Sequence, residues 1–133
     1  MKSRKWIVPI LLASSLTLAA CGGANSDKKT EEKKTTVSIS DGAKEMRQTI
    51  SDLKTQLNTK DAAKVKTSGE NLEKSWQTFE DDVKEKNADL YEKVETPLHI
   101  IEAGAKTEPL DEQTLTKAAD DLDTVLADVE KLK

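Results

Sequence analysis

Three side chains in the second half of the chain have the types and spacing of a metal-binding set. Glu95, His99 and Glu102 follow one another at intervals of four and three residues, and residues at these intervals lie on one side of an α-helix. Carboxylate oxygens combined with one imidazole nitrogen suit an iron ion, and the same ligands also suit a copper ion that shares the site. Because only a neutral imidazole binds a metal, the pattern also predicts that affinity falls in acid.

The preceding helical segment offers one more ligand. A turn at Asn87 would fold the two segments side by side, and would bring Glu80 level with Glu95. We therefore predict a metal site between these two helices. The predicted ligands are Glu80, Glu95, His99 and Glu102, and the predicted surrounding residues are Trp76, Tyr91 and Glu92, with Tyr91 as an alternative ferric ligand.

The same residues also fit a purely structural explanation. Positions beside the apolar stripe of an amphipathic helix commonly carry charged residues for solvation. A single histidine in such a position needs no role as a ligand. The acidic runs at 80–82 and 120–121 also fit solvated helix faces. Both explanations therefore stay open at this point.

The beginning of the chain predicts export and a lipid anchor. Lys2, Arg4 and Lys5 precede a short apolar run and then small residues, which is the pattern of a signal peptide over 1–20. The sequence Leu-Ala-Ala-Cys that ends at Cys21 resembles the bacterial lipobox. This resemblance implies that the Cys21 sulfur is diacylated and that the mature protein is anchored on the outer face of the cell membrane, typically of a Gram-positive bacterium. The alternative, an ordinary secreted protein, would leave the only cysteine unpaired.

The charge and the missing motifs exclude several classes of function. The net charge is −4, and because the first 20 residues hold three positive and no negative charges, residues 21–133 carry −7. A negative surface argues against nucleic-acid binding and against adhesion to anionic lipids, so two acyl chains would have to supply the anchoring. The sequence has no phosphate loop, no Cys-x-x-Cys and one histidine, and we predict that it is not an enzyme.

Four amphipathic segments follow a polar stretch. Residues 21–40 have little to bury and are predicted to be a flexible tether. Apolar residues then recur at intervals of three and four, which predicts an all-α domain over 41–133, an antiparallel up-down four-helix bundle. The helices are predicted over 41–57, 61–86 and 88–103, and the fourth follows an N-cap at Asp111.

Four residues suggest local features of these helices. Gly69 lies on the apolar line of the second helix, which indicates close approach of a neighbouring helix rather than a hinge. Asn87 or Asp89 is expected to cap the third helix. Pro97 predicts a kink within that helix, and Gly104 is expected to end it.

Two short runs resemble a known group of proteins. Trp-x-x-Phe-Glu at 76–80 and Leu-Tyr-Glu-x-Val-Glu at 90–95 resemble the extracytoplasmic helical domains that accompany bacterial high-affinity iron permeases. The second run is also similar to the Tyr-Glu-x-x-Glu stretch of imelysin-like lipoproteins of Efe-type iron uptake. The resemblance covers roughly 45–130, but the family's His-x-x-Glu occurs here only as residues 99–102.

The resemblance implies a membrane-anchored protein that binds or relays a metal ion, iron first, for an uptake permease. The competing hypothesis is a lipid-anchored structural or interaction module that docks a partner protein or the cell wall. A copper ion is the second candidate for the metal. The sequence supports no nucleic-acid partner, because its charge is negative.

Overall fold

A computed structural model of the protein describes residues 37–133, and this part of the chain is helical with short turns and no strand. The all-α prediction is confirmed for these residues. The predicted signal peptide, the lipid site at Cys21 and the predicted tether up to residue 36 lie outside the described residues. The structure has five helices in this region: α1 (Ile39–Asn58), α2 (Ala62–Trp76), α3 (Glu80–Lys86), α4 (Ala88–Ala105) and α5 (Glu112–Val129).

Side-chain caps fix where four of the helices begin. Each cap is a Ser, Asp or Asn whose side-chain oxygen accepts the backbone N–H of a residue three positions later, and such a bond satisfies one of the free donors of the first turn. The Ser38 cap starts α1 two residues before the predicted start, the cap of α4 is Asn87 rather than Asp89, and the predicted cap Asp111 is confirmed. The cap-to-donor pairs are Ser38 and Asp41 at 3.2 Å, Asp61 and Lys64 at 3.2 Å, Asn87 and Leu90 at 3.1 Å, and Asp111 and Thr114 at 3.0 Å.

The prediction of one helix over 61–86 is wrong in its middle. The helix ends at Trp76, passes through a turn at residues 77–79 and restarts at Glu80. In the turn the backbone N–H of Phe79 donates to the carbonyl of Trp76 at 3.1 Å, a bond one residue shorter than in an α-helix. The hydroxyl of Thr78 also donates to the carbonyl of Ser75 at 2.6 Å, which draws a carbonyl away from the regular ladder.

The turn at 77–79 allows two large aromatic side chains to be buried together. Trp76 and Phe79 have 0 % and 1 % of their surface exposed, and their ring centroids lie 5.2 Å apart with the planes at 86°. This edge-to-face arrangement is a favourable geometry for aromatic pairs. Phe79 also lies directly against Gly42 of α1. The break in the helix therefore follows from packing, not from a helix-breaking residue.

The helices surround one apolar core. Helix α1 packs against α2 and α5, α4 packs against the same two helices, and the short α3 packs against α4. The predicted apolar lines are confirmed, although Leu90 and Leu132 at their ends are only half-buried. In the part of the chain that the structure describes, no helix is both long and apolar enough to span a membrane. The buried residues of these lines are Met46, Ile50, Leu53, Leu57, Val65, Leu72, Trp76, Phe79, Val83, Val94, Leu98, Ile101, Leu115, Ala119, Leu122, Leu126 and Val129.

Two glycines mark places where helices come close together. A Cβ atom built on Gly69 would lie 3.1 Å from the Cβ of Ala105 on α4, so the predicted close approach is confirmed. The prediction that Gly104 ends its helix is wrong, because α4 continues to Ala105. A Cβ at Gly104 would lie 2.7 Å from a methyl group of Leu115, and this contact with α5 explains the glycine. Helix α4 continues without interruption through Pro97.

Candidate functional site

The candidate site is centred on the carboxylate of Glu95 in α4. The indole Nε1–H of Trp76 donates to its Oε1 at 2.6 Å. Trp76 ends α2 with no exposed surface, whereas the side chain of Glu95 is 21 % exposed. The carboxylate therefore lies at the boundary of the core, with one oxygen directed at a buried donor.

The second oxygen of the same carboxylate faces the only histidine of the chain. Oε2 of Glu95 lies 3.1 Å from Nε2 of His99, one helical turn further along α4, and the imidazole is 63 % exposed. The spacing of four residues brings the two side chains together on one face of the helix. The predicted pairing of these two residues is thus present as a close contact on the surface of α4.

Tyr91 completes the surroundings of Glu95. Its ring centroid lies 5.8 Å from that of Trp76, and the ammonium group of Lys84 lies 4.9 Å from the Tyr91 ring centroid. Burial raises the pKa of the Tyr91 phenol, and the negative charges of Glu95 and Glu80 raise it further. The phenol is therefore held in its neutral form in an electronegative setting.

The other predicted site residues lie around this centre with different partners. The carboxylate of Glu102 is 3.5 Å from the ammonium group of Lys106, one turn along α4. Glu80, half-buried at the start of α3, contributes negative charge near Tyr91. Glu92 is exposed and lines a shallow surface groove with neighbouring residues of α4. Within residues 37–133, no three Asp, Glu, His or Cys side chains come together as a group that could hold a metal ion.

The hydrogen bond between Trp76 and Glu95 was not predicted from the sequence. Its register across α2 and α4 depends on the turn at 77–79, which the apolar pattern does not indicate. The pairing of Glu102 with Lys106 is indicated by the sequence itself, since opposite charges four residues apart on a helix commonly pair.

A second polar surface lies between α1 and α5, and its charges are paired within the protein. Arg47 donates to Asp123 at 2.8 Å and to Glu130 at 3.2 Å, and Lys54 donates to Asp120 at 2.5 Å. The hydrogen bond to Asp123 is the largest of the contacts that raise the pKa of Arg47. This polar surface therefore fits a role in holding α1 and α5 together rather than in binding an anion.

Comparison of the chain with protein-family models, with curated proteins and with solved structures gave no match. The resemblance of residues 76–80 and 90–95 to iron-permease domains and imelysin-like lipoproteins stays a prediction.

Proposed function

We propose that the protein is a non-enzymatic extracytoplasmic lipoprotein that binds a metal ion, iron first, and passes it to an uptake permease in the same membrane. The observation that supports this proposal best is the contact between Oε2 of Glu95 and Nε2 of His99, 3.1 Å apart, with an imidazole that is 63 % exposed. This pair presents one oxygen and one nitrogen ligand on a rigid helix, within reach of solvent.

The separation of the two atoms suits a shared metal ion. Two ligand atoms that are each about 2.1 Å from a metal lie about 3.0 Å apart in octahedral geometry and about 3.4 Å apart in tetrahedral geometry. The observed 3.1 Å lies between these values. A cation would therefore contact both atoms with little movement of the helix.

An incomplete ligand set fits transfer better than storage. With two protein ligands, the remaining coordination positions are left for water or for groups of a partner, so the ion is released readily. The nearby charge of Glu80, which acts on Tyr91, favours a cation in this region. Glu80 and Glu102 stay predicted ligands, which would have to reorient to reach an ion beside His99.

The proposed architecture places this site on a tethered bundle. We infer an up-down four-helix arrangement in which α2 and the short α3 together take one of the four positions, next to α1 and α4. Residues 21–38 would link the bundle to the lipid on Cys21 and keep it close to a membrane-embedded partner.

Metal titration followed by NMR tests the proposal at a single residue. The chain from residue 21, with Cys21→Ser so that it carries no lipid, contains one histidine, so the imidazole signals report on His99 alone. We expect Fe²⁺ without oxygen, and Cu²⁺, to shift or broaden these signals at metal concentrations that also raise the melting temperature.

Variants separate this site from general binding to the acidic surface. Replacing Glu95 by Gln and His99 by Gln together should abolish the thermal shift while the helical circular dichroism spectrum is retained. Asp121→Asn is the matched control, because it removes one carboxylate that contacts a basic side chain four residues away on a helix. A thermal shift that survives the double substitution would place the metal elsewhere.

A second candidate function is favoured by the partners of Glu95. Both of its oxygens already have protein partners, Trp76 and His99, which is also what a purely structural carboxylate requires. The corresponding function is a lipid-anchored interaction module that docks a partner protein or the cell wall. If the parent chain binds neither metal, and its membrane partner is crosslinked equally well by the Glu95 and His99 double variant, this second function is supported.

The lipid anchor has its own test. Cys21→Ser should release the protein from membranes into the medium, because two acyl chains bind a bilayer stably and no other residue offers their attachment. Mass spectrometry of the parent should find the lipid on residue 21. A Cys21→Ser protein that stays in the membrane fraction and is still cut before residue 21 would contradict the anchor.

A further inference from the structure

We propose that the Glu95–His99 pair selects borderline transition-metal ions over calcium and magnesium, and that Trp76 is the positioning residue that sets this selectivity by holding one oxygen of Glu95. This inference rests on the proposed metal-binding function and adds the chemical class of the ion. It is based on the hydrogen bond by which Trp76 already occupies one oxygen of the Glu95 carboxylate.

Trp76 limits the way in which Glu95 can bind an ion. The indole N–H lies 2.6 Å from Oε1, and Trp76 is held by full burial and by the edge of the Phe79 ring at a centroid distance of 5.2 Å. A carboxylate that rotated to present both oxygens to a cation would leave the buried indole without an acceptor, which costs free energy. Glu95 therefore offers Oε2 alone, as a monodentate ligand.

A monodentate carboxylate next to an imidazole is a poor site for hard cations. Calcium takes about six to eight oxygen ligands and commonly uses a carboxylate through both oxygens, and magnesium keeps its water and prefers oxygen ligands. Imidazole nitrogen instead suits iron, copper, nickel and zinc ions. The pair can thus hold a transition-metal ion in surroundings where calcium and magnesium are abundant.

The contact between Glu95 and His99 leads to the same class of ion. Oε2 of Glu95 lies 3.1 Å from Nε2 of His99, whose imidazole is exposed to solvent. An ion that binds Oε2 therefore has the Nε2 nitrogen of His99 as its second protein ligand. Only a cation with high affinity for nitrogen is stabilised by this second ligand.

The test compares two metals on the chain from residue 21 with Cys21→Ser. Cu²⁺ is the probe for borderline ions because it binds most tightly in the usual order of divalent metals, and Ca²⁺ is the probe for hard ions. The signals of His99, the only histidine, are followed by NMR in both titrations. We expect Cu²⁺ to bind at least about tenfold more tightly than Ca²⁺.

Removing the indole donor should reduce this selectivity. In Trp76→Phe, Oε1 of Glu95 loses its donor, and we expect the ratio of Cu²⁺ to Ca²⁺ affinity to fall because Ca²⁺ affinity rises. Because the smaller ring leaves a cavity, the second variant carries benzothienylalanine at position 76, which keeps the shape of tryptophan and lacks the N–H. Its circular dichroism spectrum and melting curve show whether the fold is kept, and its affinity ratio decides the question if Trp76→Phe unfolds.

The outcomes separate this inference from the proposed function. If the parent binds Cu²⁺ at His99 but binds Ca²⁺ equally well, or if both variants keep the parent's affinity ratio, the selectivity inference is wrong and the metal-binding function stands. If neither ion affects the His99 signals of the parent, the proposed function fails and the inference fails with it. A lower ratio in a folded variant supports both.

Discussion

The indole of Trp76 and the carboxylate of Glu95 are joined by a 2.6 Å hydrogen bond across two helices, from a side chain with no exposed surface to one that is 21 % exposed. The bond satisfies the only polar atom of a tryptophan side chain in the core. It also fixes the orientation of Glu95 relative to His99. Glu95, a predicted metal ligand, therefore has a structural role as well.

Loss of the Glu95 carboxylate should destabilise the domain. Glu95→Ala leaves the buried indole N–H of Trp76 without its acceptor, and we expect a loss of about 1–3 kcal/mol in the free energy of unfolding. Glu92→Ala is the matched control, since it makes the same replacement on an exposed part of α4 and should change stability by less than about 0.5 kcal/mol. Urea unfolding measures both. Equal effects of the two variants would show that the indole does not depend on Glu95.

The glycine that faces Phe79 should tolerate alanine least. A Cβ on Gly42 would lie 2.3 Å from the ring of Phe79, which is buried. Overpacking of this kind costs about 1–3 kcal/mol, whereas alanine gains about 1 kcal/mol in a helix interior. We therefore expect Gly42→Ala to lower the melting temperature.

Gly69→Ala is the control for the glycine prediction. Its Cβ would lie 3.1 Å from the Cβ of Ala105, which a small shift of the helices relieves, so its effect should be close to zero. The double variant of Gly42→Ala with Phe79→Leu should recover part of the loss, because leucine can move away from the new methyl group. A Gly42→Ala protein as stable as Gly69→Ala would contradict the packing of Phe79 against α1.

The regular part of the fold was predictable because the buried residues follow the helical period. Lines such as Met46, Ile50, Leu53 and Leu57 recur on one face, and burial of an apolar face is the main source of helix stability in proteins. The turn at 77–79 was not predictable in the same way. It contains no glycine or proline, and it exists because Trp76 and Phe79 pack against different neighbours.

The candidate site was predictable to the extent that it lies within one helix. Glu95 and His99 are four residues apart, and α-helix geometry alone brings them together. The contribution of Trp76 depends on the register between α2 and α4, which follows from the packing of large side chains. Glu102 is also one turn from a basic residue of the same helix, and the structure pairs it with Lys106 at 3.5 Å.

The ion pairs between α1 and α5 should contribute a small, salt-dependent stabilisation. The side chains of Arg47 and Asp123 are 39 % and 42 % exposed, and exposed pairs typically contribute about 0.2–1 kcal/mol. A double-mutant cycle with Arg47→Met and Asp123→Asn should give a coupling energy in this range, smaller at high salt. The same double-mutant cycle on the pair of Lys117 and Asp121, which lies within α5, is the control. A coupling unaffected by salt would contradict a solvent-screened contact.

The N-cap of α5 should make stability depend on pH in a defined direction. The carboxylate of Asp111 accepts the backbone N–H of Thr114 at 3.0 Å, and this bond is the largest of the contacts that hold the pKa of Asp111 below its ordinary value. A group whose pKa is lower in the folded state stabilises that state above the pKa of the unfolded chain, and the contribution disappears as the pH falls through the folded pKa. We therefore expect the parent to be more stable than Asp111→Ala at neutral pH, and the difference to shrink as the pH falls to about 3.

Asp111→Asn is the control, because asparagine caps a helix without titrating. Its advantage over Asp111→Ala should be the same at both pH values. Thermal unfolding of the three proteins across this range measures the effect. A difference between the parent and Asp111→Asn that stays constant from neutral pH to about pH 3 would show that the charge of Asp111 does not stabilise the start of α5.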